Sequence, residues 1–328
     1  MSAISVNGLT KKFNGNVAVK EVNFEVKPGT IFGFLGPNGA GKTTTINILC
    51  TLMGADAGSA SVNGYDCSKE PDDVRRSIGI VFQDPTLDKD LTAYENLLYH
   101  AYLYRVPKPV RRRTVEDAIR FIGLYERKDD LIKTYSGGMK RRLEVARALV
   151  HQPKVLFLDE PTLGLDPQSR AGLWTYIRRL PETMDMTIFM TTHYMEEAEV
   201  CDDICIIDHG SIIAKGAPSE LKSMLGGDVV YLIADDNKKA LGMIRDLLDI
   251  EAEIKGDEIV FPTKKSDTCI PEIIRTLGDS VRSIRLQRPT LNDVFLKITG
   301  REIRSEHADS GDQLRENIRA YRRRSDRQ

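Results

Sequence analysis

The segment Gly36-Pro37-Asn38-Gly39-Ala40-Gly41-Lys42-Thr43-Thr44 constrains this chain more than any other. It fits the pattern G-x-x-x-x-G-K-[ST], with Gly36, Gly41, Lys42 and Thr43 in the fixed positions. The apolar run Thr30-Ile31-Phe32-Gly33-Phe34-Leu35 precedes it, and the helix-like Thr44-Thr45-Ile46-Asn47-Ile48-Leu49 follows. A strand, a glycine-rich turn and a helix start together make a phosphate-binding loop. The glycines let successive N–H groups point at one anion at the positive end of a helix. Lys42 adds a mobile positive charge for the outer phosphates, and the Thr43 hydroxyl is placed for Mg²⁺.

Around this loop the chain changes pattern several times. Residues 1–30 alternate apolar and polar, with Asn14-Gly15 and Pro28-Gly29 as punctuation, and predict short antiparallel strands. From about residue 31, strands alternate with helices, the mark of a parallel sheet. Four apolar runs end in polar residues. Ile31–Leu35 enters the phosphate loop, Gly79–Phe82 ends at Gln83, Val155–Leu158 at Asp159-Glu160, and Thr187–Thr192 at His193. In open α/β sheets ligands sit at the carboxyl ends of the strands, so four such ends on one rim describe a composite site. Residues 84–150 read mostly as helix, an insertion. After Gly226-Gly227 a second pattern, βαββαβ over 228–300, predicts a small α+β accessory domain. Residues 301–328 are charged and poor in large apolar groups, and read as a tail or at most a frayed helix.

With 328 residues the chain has room for about two domains. Its 47 basic and 48 acidic residues nearly cancel, so no global positive field argues for nucleic acid as a partner. The five cysteines are scattered, without a C-x-x-C pair, which suits a reducing compartment and buried thiols. MSAISVNG lacks the pattern of a signal peptide, and no apolar run approaches the roughly 20 residues that span a bilayer. A membrane role is therefore expected to run through a partner.

The strand ends carry the chemistry. Adjacent strand residues point to opposite faces, so Asp159 and Glu160 can take different roles: Asp159 to orient Mg²⁺, Glu160 to polarise an attacking water. His193 and Gln83 complete the rim, His193 as a γ-phosphate contact that also positions Glu160 and water. Ser136-Gly137-Gly138 precedes a strong helix, Lys140–Val150; Ser136 can cap it and the glycines leave its N–H groups bare, making a second anion-binding helix start.

These motifs resemble those of the nucleotide-binding subunits of ABC transporters over about residues 3–225. GPNGAGKTT resembles the family's Walker A, VLFLDEP its Walker B with the catalytic glutamate, and Tyr135-Ser136-Gly137-Gly138-Met139 its signature, usually written LSGGQ. Gln83, Gly164-Leu165-Asp166 and His193 match the Q-, D- and H-loops. The resemblance implies a P-loop NTPase fold (an ABC ATPase) and a peripheral site on the cytoplasmic face of the membrane. It implies a head-to-tail dimer with a second copy or a related subunit, in which Ser136 and Gly138 of one chain close on ATP held by the phosphate loop of the other. Gln83 joins Thr43 and Asp159 as a Mg²⁺ contact, and Phe13 stands where the family places an aromatic against adenine; plain hairpin packing is its other use. The YSGGM form, the following KRRLE, and the closing Gln287–Gly300 resemble one subgroup, the drug-resistance exporter ATPases of the daunorubicin type. That implies ATP hydrolysis driving efflux through a separate ABC-2-type permease.

Tyr94, Tyr99, Tyr102 and Tyr104 crowd the segment after Gln83, where the family analogy puts a groove for the permease's coupling helix; internal packing is the competing use. The rival function is a soluble ABC ATPase acting on ribosomes or DNA, which commonly carries two cassettes or a long coiled-coil insertion. This chain has one cassette and no heptad run.

Overall fold

Ile31–Leu35, Val155–Asp159 and Thr187–Thr192 are buried at every position, as strands covered on both faces must be. In the computed structural model, which describes residues 2–248, 250–263 and 266–300, they lie at the centre of a six-stranded sheet. Its spatial order is Ser211–Gly216, Asp203–Asp208, Ile31–Leu35, Thr187–Thr192, Val155–Asp159, Ile78–Val81. Five strands run parallel and Ser211–Gly216 closes one edge antiparallel. Register sets the rim: Leu35 pairs with Thr192 and Asp159 with Thr191. The phosphate loop, the two carboxylates and His193 therefore leave the sheet at one level.

A second sheet, antiparallel, is ordered Asn16–Val26, Ile4–Phe13, Ala57–Val62, Tyr65–Asp66. Its hairpin turns at Asn14 and Gly15, both at positive φ, the twist that a two-residue turn between right-twisted strands requires. Phe24 of this sheet lies against Phe32, Phe34 and Phe189 of the parallel sheet, with ring centroids 5.4–5.8 Å apart. This aromatic cluster fuses the two sheets into one core.

The insertion contains helices Ala93–Leu103, Lys108–Phe121 and Gly137–Leu149 around a separate core of Leu97, Val115, Ile119, Ile122, Ile132 and Leu143. Thr92 and Glu95 form a reciprocal capping box that starts the first helix. The four tyrosines do not share one surface. Tyr104 stacks on His151 with ring centroids 3.8 Å apart, and Tyr94 packs against the insertion's core. Tyr99 and Tyr102 are 63% and 56% exposed.

The chain divides into two compact units at Gly216/Ala217, ahead of the boundary expected at Gly226-Gly227. The short helix Pro218–Ser223 falls in the second unit because it packs against the helix Leu291–Thr299, and Lys297 Nζ donates to the Met224 carbonyl at 3.0 Å. The second unit is an antiparallel sheet ordered Glu253–Lys255, Glu258–Thr263, Asp228–Ala234, Val281–Gln287, with helices Asn237–Leu248 and Ser266–Leu277. That is the split βαβ arrangement of the ferredoxin-like fold, built on Val230, Leu232, Ile259, Phe261 and Ile273. The charged stretch 301–328 lies outside the described residues. All five cysteines are free thiols, and four of them are buried.

Candidate functional site

The phosphate loop forms because Gly41 adopts a backbone that side chains resist. Its φ is 108°, and a Cβ there would lie 2.5 Å from the Ala18 carbonyl oxygen. Gly41 caps the helix Lys42–Leu49, which leaves the helix's first N–H groups facing the loop. Lys42 is 5% exposed; its Nζ donates to the carbonyls of Gly36 at 2.8 Å and Pro37 at 3.2 Å, and meets Glu160 Oε1 at 3.1 Å. A cavity of about 290 Å³ opens here, lined by Asn38, Gly39, Gly41, Lys42, Thr43, Thr44, Gln83 and Glu160 together with Ala18 and Leu163.

Asp159 and Glu160 turn apart, as expected for neighbours at a strand end. Asp159 Oδ1 accepts from Thr191 Oγ1 at 2.6 Å and from Thr43 Oγ1 at 3.5 Å. Glu160 has φ of +45°, a left-handed backbone rare outside glycine, so the chain bends sharply where the strand ends. Its Oε2 lies 3.1 Å from His193 Nδ1, completing a chain from Lys42 through Glu160 to His193. Burial pushes both carboxyls upward. For Glu160 the hydrogen bond with His193 and the Lys42 charge outweigh burial, and the acid is held below the usual carboxylate range. It is therefore ionised at neutral pH. For Asp159 burial wins against the Thr191 hydrogen bond, reinforced by the Glu160 charge, and the acid is raised. A cation beside Asp159 would reverse that cost.

Ser136 caps the helix Gly137–Leu149, its Oγ accepting from the Met139 N–H at 3.2 Å, while Ser136 and Gly137 stay exposed. Gly138 is buried where a Cβ would come within 2.4 Å of Ser169 Oγ, so the helix start can approach Ser169 only without a side chain. Tyr135 is buried and donates to the Arg127 carbonyl at 2.6 Å; Met139 packs on the insertion's core. The two departures from the commonest signature thus anchor the motif to the insertion. Asp166 caps the helix Pro167–Ile177 by accepting from the Ser169 N–H at 2.9 Å, and its hydrogen bonds with Ser169 lower its acid.

The structure gathers Asn38 to Thr44, Gln83, Asp159, Glu160 and His193 on one rim. Ser136, Gly137 and Gly138 do not line the cavity of their own chain. Phe13 is 44% exposed and also stands outside the cavity wall, with Lys11 Nζ 5.6 Å from its ring centroid; it is not packed away in its hairpin. Sequence reasoning missed Thr191, which donates to Asp159 and accepts from the Glu160 N–H at 3.0 Å. It also missed Glu197, which accepts from Thr192 Oγ1 at 2.7 Å and from Thr162. The Thr191-Thr192 pair before His193 was the available signal, since hydroxyls at a buried strand end need partners. Thr191→Val keeps the shape and removes both bonds; we expect a loss of about 1–3 kcal/mol of stability, read by denaturant unfolding.

Comparison with known proteins assigns the chain. The family model described as ABC transporter matches residues 19–163, and the one described as the C-terminal domain of DrrA1-3-like ATP-binding proteins matches residues 216–299. The chain is 38% identical to the linearmycin resistance ATP-binding protein LnrL of Bacillus subtilis, covering 92% of this chain and 99% of that one. It is 40% identical to the daunorubicin/doxorubicin resistance ATP-binding protein DrrA of Streptomyces peucetius, covering 91% and 92%. It is 38% identical to a Nod factor export ATP-binding protein I of Ralstonia nicotianae, covering 92% and 95%. Among solved structures, the ATP-binding subunit of an ABC transporter superposes with a TM-score of 0.62 at 29% identity, over 69% of this chain and 94% of that one. A dimeric post-hydrolysis ATP-binding cassette bound to ADP and Pi gives 0.59 at 26% identity, over 65% and 98%. Phosphate loop, rim carboxylates, signature helix and both matched regions agree: the chain belongs to the ABC transporter family as a DrrA-like ATP-binding subunit, an ATPase of the kind that dimerises and works with a membrane permease.

Proposed function

We propose that this protein is the ATPase of an exporter for drugs or antibiotics, seated on the inner face of the membrane by an ABC-2-type permease. The observation that carries the reading is the chain Lys42–Glu160–His193 beside the phosphate loop, in a protein whose second unit is of the DrrA type. Glu160, ionised and held at both oxygens, takes a proton from the water that attacks the γ-phosphate; ADP and phosphate leave. His193 fixes the direction of the carboxylate through Nδ1–H. Lys42 neutralises the outer phosphates. Phe13, exposed at the end of its strand, offers its ring to adenine.

Mg²⁺ fits the residues present: Thr43 Oγ1 and Asp159 Oδ1 are hard oxygen donors 3.5 Å apart, and Gln83 lines the same cavity. When bound, the ion offsets phosphate charge and raises the electrophilicity of phosphorus. Ser136 and Gly138 stand outside the cavity of their own chain, which supports their use across a dimer, with a second copy or a related subunit.

Exposed Tyr99, with Tyr102 beside it on the helix Ala93–Leu103, supplies an aromatic face for the permease's amphipathic helix. The test is affinity capture of the tagged full chain from mildly solubilised native membranes, followed by mass spectrometry. A stoichiometric protein with several membrane spans is expected, and Tyr99→Ala should reduce its recovery about tenfold while ATP binding is kept. Tyr94→Ala should act more weakly, because Tyr94 is half-buried and packs against the insertion's core. Ribosomal or DNA-repair partners in its place would favour the soluble rival and overturn the transport reading.

A further inference from the structure

Arg141 belongs to the KRRLE segment that follows the signature and has been given no role above, yet its guanidinium is bonded directly to the backbone of the rim. It is 7% exposed. Its Nε donates to the Pro161 carbonyl at 2.6 Å, and its Nη2 donates to the carbonyls of Asp159 and Glu160, both at 3.1 Å. Its Nη1 donates to the Phe82 carbonyl at 2.5 Å and to Glu144 Oε2 at 3.0 Å. A guanidinium has five N–H donors, and here five acceptors meet them. Glu144, 1% exposed, uses its other oxygen to accept from the Thr86 N–H at 2.8 Å.

Three of the five acceptors are consecutive carbonyls, 159, 160 and 161. They can converge on one planar group only if the backbone bends, and the bend is the positive φ of Glu160. An α-carbon held in that region costs free energy that surrounding contacts must offset. A lysine could not do this, since an ammonium is a point donor without a rigid fork. The remaining bonds tie the same guanidinium to Phe82, the residue before Gln83, and through Glu144 to Thr86 beyond it. Arg141 stands on the signature helix Gly137–Leu149, so one side chain joins that helix, the Gln83 loop and the carboxylate bend.

We infer that Arg141 is a positioning residue for ATP hydrolysis: it holds the bend that aims the Glu160 carboxylate, and Glu144 holds Arg141. Arg141 touches no reacting atom; it acts through Glu160. A misplacement of the base by a fraction of an ångström lowers turnover without loosening the nucleotide, which is held by the phosphate loop.

The inference rests on the reading of Glu160 as the base. The experiment uses the full chain and measures kcat and KM for MgATP in four proteins: wild type, Arg141→Lys, Glu160→Gln, and the two substitutions together. Arg141→Lys is expected to lower kcat about 10–100-fold with KM changed less than about twofold. In the Glu160→Gln background, where the aimed group is already gone, the same substitution is expected to cost less than about twofold more. An equal fold-loss in both backgrounds, or a loss carried by KM, overturns the inference. If Glu160→Gln alone keeps normal turnover, the reading of the base fails and the inference falls with it, an outcome distinct from equal losses. Should Arg141→Lys not fold, Glu144→Gln provides the second route. It keeps an acceptor for Thr86 but weakens the hold on Arg141, and is expected to lower kcat about 3–10-fold at unchanged KM. Unchanged kcat in that variant overturns the inference.

Discussion

Glu160→Gln is expected to slow ATP turnover by about 10²–10⁴-fold while ATP still binds as in the wild type. That loss corresponds to about 3–5 kcal/mol of transition-state stabilisation. Lys42 Nζ and His193 Nδ1 each lie 3.1 Å from a different oxygen of Glu160. A glutamine keeps the size and can keep one of these contacts, so the rim should stay in place. It lacks the negative charge and the proton affinity, so the attacking water loses its base. The acid of Glu160 is held below the usual carboxylate range. The wild-type group is thus already ionised well below neutral pH, and raising the pH should not rescue the variant. Colorimetric phosphate release gives kcat, and a fluorescent nucleotide gives binding. Turnover within threefold of wild type would mean that another group serves as base.

Lys42→Ala is expected to act one step earlier, weakening ATP binding by about 10²–10⁴-fold. Lys42 is buried and its ammonium is fixed by two loop carbonyls, so it presents charge at the loop without first being ordered. Removing it takes away the charge-assisted hydrogen bonds expected for the outer phosphates. It also leaves the Glu160 carboxylate without a cation in a largely buried place. Stability and binding should therefore both fall, which separates this variant from Glu160→Gln. Isothermal titration with a slowly hydrolysed ATP analogue reads the binding term. Unchanged affinity would remove Lys42 from the phosphate site.

The parallel sheet was legible because its strands are buried on both faces and each ends in a polar residue that has no place in a core. The helices Asn237–Leu248 and Ser266–Leu277 were legible for the opposite reason, since a strong apolar stripe needs only local sequence. The compact units divide at Gly216/Ala217, and Gly226-Gly227, a conspicuous turn with φ of 97° and 109°, falls within the second unit. A turn signal reports backbone direction, not which core the next helix joins. The four tyrosines read as one cluster in the chain, but packing turns two inward and leaves two exposed. The segment KRRLE was conspicuous in the sequence, but the role of Arg141 within it was not, for a similar reason. Its acceptors lie far away in sequence, at Phe82 and at 159–161, and only tertiary packing brings them to one guanidinium. The rim's titratable groups could be read off strand ends; the groups that hold them still could not.

In the proposed reading, ATP joins two copies of this chain, the phosphate loop of one to the signature of the other. The most direct test is the mass of Glu160→Gln protein by light scattering, with and without saturating MgATP. We expect one chain without nucleotide and two with it, and one chain again when Lys42→Ala is added. A variant that binds ATP fully and keeps the mass of a single chain would contradict the claim.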